Sequence, residues 1–202
     1  MVRVVLATRN EHKIVEVRRM LASSSVEVVG LDAVSSYPEP AETEATFAGN
    51  ALLKARACVA VTQLPALADD SGLEVEMLNR MPGVRSARWS GPGATDEENL
   101  ELLLRQLSDV AEERRGARFV CALALVLPDG REFVEEGIMT GRLATRPRGS
   151  NGFGYDPAFI TDGETRTNGE LGPAEKDARS HRGSALRAMA ALIMGLNEGT
   201  RA

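Results

Sequence analysis

The sequence Leu67-Ala68-Asp69-Asp70-Ser71-Gly72-Leu73 decides how the fold of this chain is interpreted. A short apolar run ends in two adjacent carboxylates, which are followed by a small hydroxyl and a glycine. This pattern predicts a strand at 66–68 that delivers acidic groups to a tight turn at its end. Ligands bind beyond the strand ends of open α/β sheets, and adjacent Asp residues there need a cation or a proton-transfer role to be stable. An Asx-turn, in which one Asp bonds its own backbone, is the alternative.

The segments around this stretch predict a mixed sheet with flanking helices, which is an α/β fold. The apolar run at 2–7 is typical of a strand buried on both faces and therefore internal to a sheet. A polar turn at 8–10 leads into a helix, because Ile14, Val17 and Leu21 have helical spacing. The remaining predicted elements are, in order, a helix from 47 to about 61 capped by Thr46, a strand at 73–77, a turn at 82–83, a helix that starts with the capping box of Thr95 and Glu98, a hairpin of strands 118–127 and 131–139, and a helix at about 184–196 capped by Ser180.

Length and composition limit the class of protein. The 202 residues suffice for one domain, taken to span 1–202, and 24 Lys plus Arg against 29 Asp plus Glu give a net charge of −5. An acidic chain is not expected to be a general nucleic-acid binder, although a local basic pocket is compatible with it. Cys58 and Cys121 lie in apolar runs and predict buried, reduced thiols. Two histidines, His12 and His181, are too few for a multi-His metal site.

No segment predicts export or insertion into a membrane. The N-terminal apolar run is too short for a signal peptide with its cleavage site. The longest apolar stretch, 120–127, is too short to span a bilayer. We therefore expect a cytoplasmic protein without a membrane partner.

The turn after the first predicted strand could bind an anion. Thr8, Arg9, Asn10 and Lys13 lie between a strand end and a helix N-terminus, where backbone N–H groups and the helix dipole attract negative charge. An ordinary polar turn with a solvated lysine is the alternative. The sequence has neither a GxxxxGK[ST] loop nor a strand-linked GxGxxG, so P-loop and Rossmann binding are unsupported.

Three further groups of charged residues are candidates for a site. Asn50 and Lys54 are four residues apart and share a helix face, which could also be a plain surface. Glu42 lies in a loop whose carboxylates are expected to be mostly solvated. Lys176 and the segment 180–183 bring positive charge to a helix start, which opposes the helix dipole unless an anion is nearby. Helix capping with exposed basic groups is the alternative there.

The segment Gly152-Phe153-Gly154-Tyr155-Asp156-Pro157 favours ligand binding over a simple turn. Two glycines let the backbone approach a ligand closely, and the two aromatic side chains could stack on a flat ring. Aromatic residues are only 4% of this chain, so two in one glycine-rich loop are unexpected for a turn. Carboxylates, cations at strand–helix turns and an aromatic loop together suit a nucleoside triphosphate bound with Mg²⁺, which prefers one or two carboxylates plus substrate phosphates.

These motifs, in this order, closely resemble the inosine triphosphate pyrophosphatase family over residues 4–182. The matching segments are Thr8 to Lys13 with Glu16, Glu42-Thr43, Thr46-Phe47, Asn50-Ala51, Lys54-Ala55, Ala68 to Leu73, Pro82-Gly83, Ser86 to Arg88, Gly152 to Phe159, Glu175-Lys176 and Ser180 to Gly183. The chain departs from the family pattern at three places: Arg9 stands where many members have Gly, Gly49 replaces a frequent Glu, and Ile138-Met139 replace a common Trp-containing stretch.

The resemblance implies hydrolysis of a purine nucleoside triphosphate, such as ITP, dITP or XTP, to the monophosphate and pyrophosphate. It also implies an elongated mixed sheet in two lobes with a central substrate cleft, a homodimer, and Mg²⁺, one or more per subunit, held by Glu42 and Asp70. The implied catalytic residues are Asp70, which would orient or deprotonate the water, with Asp69, Lys13 and Lys54. The implied substrate-binding residues are Thr8, Arg9, Asn10, Glu11, His12, Lys13, Ser71, Phe153, Gly154, Tyr155, Asp156, Lys176, His181 and Arg182.

The implied base pocket agrees with the chemistry of the purines. Phe153 would stack on the base, and His181 and Arg182 would lie near its 6-keto edge. Donors aimed at a 6-keto oxygen accept hypoxanthine and xanthine, whereas the 6-amino group of adenine leaves them unpaired. Guanine must be rejected through its 2-amino group. A catalytically silent nucleotide sensor and a pyrophosphatase for pyrimidine or modified nucleotides are the alternative functions.

Overall fold

A computed structural model describes residues 2–22, 26–34, 37–38 and 40–199 of the chain. The described residues form six strands and five α-helices, joined in places by short 3₁₀ turns. In chain order these elements are β1 (Val2–Leu6), α1 (Glu11–Leu21), β2 (Val26–Val29), α2 (Phe47–Thr62), β3 (Ala66–Val75), α3 (Asp96–Gln106), β4 (Gly116–Val126), β5 (Glu132–Leu143), β6 (Phe159–Thr161), α4 (Pro173–Arg179) and α5 (His181–Gly199).

The strands form one mixed sheet in the order β2-β1-β3-β4-β5-β6, which confirms the predicted α/β class. β1 is internal, as predicted, and pairs in parallel with β2 and β3. β4 and β5 are neighbours joined by a turn in which the Gly130 N–H donates to the Leu127 carbonyl, so the predicted hairpin is confirmed. β5 and β6 are antiparallel, with Gly141 opposite Thr161. A Cβ at Gly141 would come within 2.2 Å of the Ile160 carbonyl oxygen, which explains why this position has no side chain.

The acidic stretch does not form the predicted turn. β3 runs without a break from Ala66 to Val75, through Asp69, Asp70 and Gly72, so the prediction of a strand that ends at 68 was wrong. Successive side chains of a strand point to opposite faces of the sheet. The two adjacent carboxylates are therefore separated by the sheet, and each meets its own set of partners.

The chain divides into two compact units. The first comprises residues 1–70, 121–137 and 182–202, and the second comprises residues 71–120 and 138–181. In the first unit, apolar residues of α1 and α5 pack on β1, β3 and β4 around Leu67, Leu123 and Met189. In the second unit, Leu103 of α3 and Leu107, which directly follows α3, pack in one core with Phe119, Tyr155 and Phe159. The predicted arrangement of two lobes around a cleft stays a prediction.

Helix starts were predicted well, and short elements were not. Asn10, Thr46 and Thr95 cap α1, α2 and α3 through their side chains. The last helix begins at His181, three residues earlier than predicted, directly after Ser180, which is the C-cap of α4. The predicted capping of α5 by Ser180 stays a prediction. β2, β6 and α4 were not predicted, because three to seven residues are too few to show a hydrophobic period.

Candidate active site

Asp70 faces α2 and is held there by side chains of that helix and of the preceding loop. The Lys54 ammonium donates to Asp70 Oδ1 at 3.2 Å and to Glu42 Oε1 at 3.1 Å. The Asn50 amide donates to Asp70 Oδ2 at 3.2 Å, and Asn50 is fully buried. The predicted pairing of Asn50 and Lys54 on one helix face is therefore confirmed, and that face is the buried one.

Charges around Asp70 act in opposite directions on its proton affinity. Burial raises the pKa of Asp70 above its usual range, the Lys54 ammonium opposes this, and the neighbouring Glu42 carboxylate adds to it. Burial would lower the pKa of Lys54, but Asp70, Asp69 and Glu42 outweigh burial and raise that pKa. The result is an ammonium that stays charged between two carboxylates, one of which is a stronger base than an exposed Asp.

Asp69 lies on the other face of β3, in a buried cluster of charged groups. Lys13 Nζ approaches Asp69 Oδ2 at 2.9 Å, and the Arg182 guanidinium donates to the same oxygen from Nε at 3.3 Å and Nη2 at 3.2 Å. Arg182 also forms an ion pair with the buried Glu16. Burial alone would raise the pKa of Asp69, but Lys13 and Arg182 outweigh it and hold that pKa well below the usual range. Asp69 is therefore an anion near neutral pH.

Two helix starts bring these cations to the carboxylate. Lys13 lies in the first turn of α1, whose cap Asn10 accepts a hydrogen bond from the Lys13 backbone N–H at 3.2 Å. Arg182 is the second residue of α5. Thr8 is buried and accepts from the Asn10 N–H at 3.2 Å. The predicted polar turn and its lysine are therefore part of a charged cluster, and the exposed Arg9, which donates to the Tyr37 carbonyl at 2.6 Å, braces the turn.

The second unit contains the aromatic loop, which we define as residues 152–157. Asp156 is 3% exposed, and its Oδ2 accepts from the Phe153 N–H at 2.9 Å and from Lys176 Nζ at 2.6 Å. The Lys176 ammonium lies 5.0 Å from the centre of the Phe153 ring. Gly152 has a φ of +77°, and a Cβ there would come within 2.2 Å of Asp156 Oδ2, so only glycine fits.

The two aromatic residues of this loop differ in what they can do. Phe153 is partly exposed, so its ring could stack on a ligand. The ring of Tyr155 lies in the core of the second unit at 4% exposure, and its hydroxyl donates to the Ser86 carbonyl at 2.8 Å. The expectation that both rings could stack is therefore corrected: Tyr155 anchors the loop. Burial, and secondarily Asp96, raise the pKa of that hydroxyl.

The remaining predicted site residues lie in three places. His181 is buried, and its ring stacks on Phe119 with centroids 4.9 Å apart and planes at 10°. Ser71 is partly buried on β3, and Gly154 donates its N–H to Asp96 at 2.7 Å. Glu11 and His12 are exposed in the first turn of α1. The structure thus groups Asp69 with Lys13 and Arg182, Asp70 with Lys54 and Glu42, and Phe153 with Asp156 and Lys176.

Two polar residues were missed as members of these groups. Glu16 is buried on α1 beside Val17, and a carboxylate beside an apolar core position was the signal that could have found it. Asn168 is 1% exposed and donates to Asp156 Oδ1 at 3.2 Å. Nothing in the local sequence marks Asn168, because its partners Thr161 and Asp156 are seven and twelve residues away along the chain.

Comparison with known proteins gives the following matches. A sequence model described as the Ham1 family matches residues 4–192. A Cutibacterium acnes protein named dITP/XTP pyrophosphatase is 55% identical, with 98% of this chain and 100% of that protein covered. A Frankia alni protein of the same name is 59% identical, with 95% and 96% covered. Among solved structures, a HAM1 protein from Coxiella burnetii superposes with a TM-score of 0.86 at 39% identity, covering 96% of this chain and all of that one.

A further solved structure is that of a Mycobacterium abscessus protein described as a nucleoside-triphosphatase and dITP/XTP pyrophosphatase. It is 55% identical to this chain, with a TM-score of 0.77, and the match covers 94% of this chain and 98% of the other. Both sequence and fold therefore agree with the resemblance over nearly the whole chain.

Proposed function

The chain belongs to the Ham1 family, and from that premise we propose that it hydrolyses non-standard purine nucleoside triphosphates to the monophosphate and pyrophosphate. The proposed substrates are dITP and XTP, which the names of the relatives give, together with ITP. The observation that carries this proposal is the different surroundings of two adjacent carboxylates: Asp69 pairs with Lys13 and Arg182, whereas Asp70 shares the Lys54 ammonium with Glu42. These surroundings shift the pKa of Asp69 downwards and that of Asp70 upwards. A pair whose environments push the two pKa values apart is typical of divided catalytic roles.

In this proposal water attacks the α-phosphorus and the bond to the bridging α,β-oxygen breaks, so pyrophosphate leaves. Asp70 orients the water and accepts its proton as the general base. Asp69 stays ionised and holds Lys13 and Arg182 in place. Lys13 and Lys54 offset the negative charge that the phosphates carry into the transition state.

We propose Mg²⁺, one or more per subunit, as the cofactor, held by Glu42 and Asp70. The residues fit the ion, because both carboxylates approach one ammonium, Lys54 Nζ, within 3.2 Å, and so already converge on a single cation. The described part of the chain has no cluster of three or more His, Cys, Asp or Glu side chains placed for a metal. Two carboxylates completed by substrate phosphates are what Mg²⁺ commonly takes. Bound there, the ion would neutralise phosphate charge.

The base is proposed to bind at the aromatic loop. Phe153 stacks on the purine, and Asp156 and Lys176 contact its edge, with His181 and Arg182 assigned to the 6-keto side. The support is geometric: Phe153, Asp156 and Lys176 lie together, with Asp156 and Lys176 buried and Phe153 partly exposed. The His181 and Arg182 donors aimed at a keto oxygen would be left unpaired by adenine, which costs about 1–3 kcal/mol per unsatisfied group.

The phosphate end and the assembly complete the proposal. The remaining contacts to substrate are assigned to Thr8, Arg9, Asn10, Glu11, His12, Lys13 and Ser71, which follow from the family resemblance. The 202 residues act as one pyrophosphatase domain and assemble as a homodimer. The cytoplasm is the proposed location, since that is where nucleotide pools are used. None of the helices that the structure describes is long and apolar enough to cross a membrane.

The deciding experiment is pyrophosphate release with Mg²⁺ from ITP, XTP, GTP, ATP and dTTP at equal concentration. We expect a strong preference for ITP and XTP, and a loss of about 10²-fold or more in D70N, because the proton acceptor is removed. D129N is the matched control, since Asp129 is half exposed and pairs only locally with Arg131. Full activity of D70N, or ITP binding without turnover, would refute the proposal and favour a nucleotide sensor, whereas faster turnover of dTTP would favour a pyrimidine enzyme.

A further inference from the structure

Asn168 bridges β6 and the aromatic loop with a side chain that is 1% exposed. Its Nδ2 donates to Asp156 Oδ1 at 3.2 Å, and its Oδ1 accepts from the Thr161 hydroxyl at 3.0 Å. A carboxylate can only accept, so the NH₂ side of the amide must face Asp156 and the carbonyl side must face the hydroxyl. Asp156 therefore fixes the direction of the Asn168 amide, and the Thr161 hydroxyl donates to its carbonyl end.

The Asp156 carboxylate divides its hydrogen bonds between two sets of partners. Oδ2 accepts from the Phe153 N–H and from Lys176 Nζ, and Oδ1 accepts from Asn168. If the Asn168 donor were removed, Oδ1 would become a buried acceptor that lacks this bond, which is costly. The carboxylate would then turn to share its other donors, and Phe153 and Lys176 would shift with it.

The backbone around Asn168 is attached to the aromatic loop on both sides. The Gly169 N–H donates to the Asp156 carbonyl at 2.9 Å, and the Asn151 N–H donates to the Gly169 carbonyl at 2.9 Å. A Cβ at Gly149 would come within 2.1 Å of the Gly169 backbone, so the two segments are in close contact. Asn168 thus projects from a rigid support, which suits a residue that sets the position of another side chain.

We propose that Asn168 is a positioning residue that sets base specificity. Acting through Asp156, it places the Lys176 ammonium and the Phe153 ring so that they hold the purine in register with the donors assigned to its 6-keto side, which distinguish a 6-keto purine from adenine. The inference rests on the proposed function, in which those residues contact the base. It adds a buried chain of hydrogen bonds, from Thr161 through Asn168 to Asp156, and such chains strengthen their members cooperatively.

The test compares N168L, which keeps a similar branched shape without polar atoms, with N168S and T161V in the full chain. For N168L we expect KM for ITP to rise about tenfold or more, with kcat changed less than about threefold, because an unsatisfied buried acceptor distorts binding of the base. The ITP to ATP ratio of kcat/KM should fall by a similar factor, and inhibition by tripolyphosphate, which has no base, should stay unchanged. N168S should restore part of the ratio, and T161V should lower it less than N168L does.

The control is L107A, which removes buried volume from the core of the same unit without touching the loop's hydrogen bonds. It should lose thermal stability and keep the ITP to ATP ratio. The inference is overturned if N168L lowers kcat/KM for both nucleotides equally, or lowers only the melting temperature. If N168L does not fold, an unchanged ratio in T161V and N168S overturns it. Wild-type protein that does not turn over ITP would refute the proposed function itself, and this inference with it.

Discussion

Asp69 and Asp70 show how one peptide unit can place two carboxylates in different electrostatic environments. Because β3 is extended through both residues, Asp69 meets Lys13 and Arg182 while Asp70 meets Lys54 and Asn50. Asp69 pairs with an ammonium and a guanidinium in a buried site, and Asp70 shares its ammonium with a second carboxylate. Their opposite pKa shifts follow from these neighbours, since burial alone would raise both. An acidic turn, as first predicted, would have given both residues similar surroundings.

We predict that Asp69→Asn flattens the loss of stability in acid. The pKa of Asp69 lies below its unfolded value, so its stabilisation is complete above about pH 4 and is lost as the pH falls below that. The variant should lose about 3–5 kcal/mol near neutral pH, because Arg182 and Lys13 lose a buried partner. Urea denaturation between pH 3 and 7 measures both effects. A variant whose stability falls as steeply in acid as that of the wild type would contradict this account.

We also predict that Lys54→Met increases the affinity for Mg²⁺ and abolishes turnover. The Lys54 ammonium occupies the oxygens of Glu42 and Asp70 that are proposed to hold the ion, so its removal leaves two carboxylates in need of a cation. A gain of about tenfold in affinity is expected from one charge-assisted contact, measured by calorimetry without nucleotide. R56M, on the exposed face of the same helix where Arg56 pairs with Glu132, should bind Mg²⁺ as the wild type does. Weaker binding by K54M would argue against a shared cation site.

At the scale of elements, the aromatic loop depends on Gly152, which faces the carboxylate of Asp156 in the same loop. Gly152→Ala adds a Cβ at a φ of +77°, within 2.2 Å of Asp156 Oδ2. We expect kcat/KM for ITP to fall about tenfold or more, because Asp156 must move away from Phe153 and Lys176. Gly163→Ala is a matched control, since Gly163 has a φ of +81° and open space around its Cβ position. Equal effects of the two substitutions on kcat/KM would show that backbone strain alone is responsible.

The elements also show what local sequence can and cannot predict. The caps of α2 and α3 were predicted because Thr46 and Thr95 bond to backbone groups three residues away. The continuous β3 was missed because Asp and Gly are poor strand formers, and what stabilises Asp69 there is Arg182, 113 residues further along the chain. The residues of the candidate site were found from the family resemblance, but their grouping on two faces of one strand required the structure.

At the scale of the whole molecule, three strands pass through both compact units. β3, β4 and β5 each contribute residues to the first and to the second unit, so the backbone of one unit continues as strands of the other. A strand that loses its pairing in one unit loses support for its continuation. We therefore expect the two units to unfold in a single transition, as small cooperative domains do.

Met189→Ala tests this cooperativity from the first unit. Met189 is buried in the core of the first unit, and truncating it should cost about 2–5 kcal/mol of unfolding free energy. The only tryptophan, Trp89, lies in the second unit, so its fluorescence reports on the unit that the substitution does not touch. In urea, the midpoint seen by Trp89 fluorescence should fall as far as the midpoint seen by far-UV circular dichroism. A fluorescence midpoint that stays at the wild-type value while the dichroism midpoint falls would show that the units unfold separately, in spite of their shared strands.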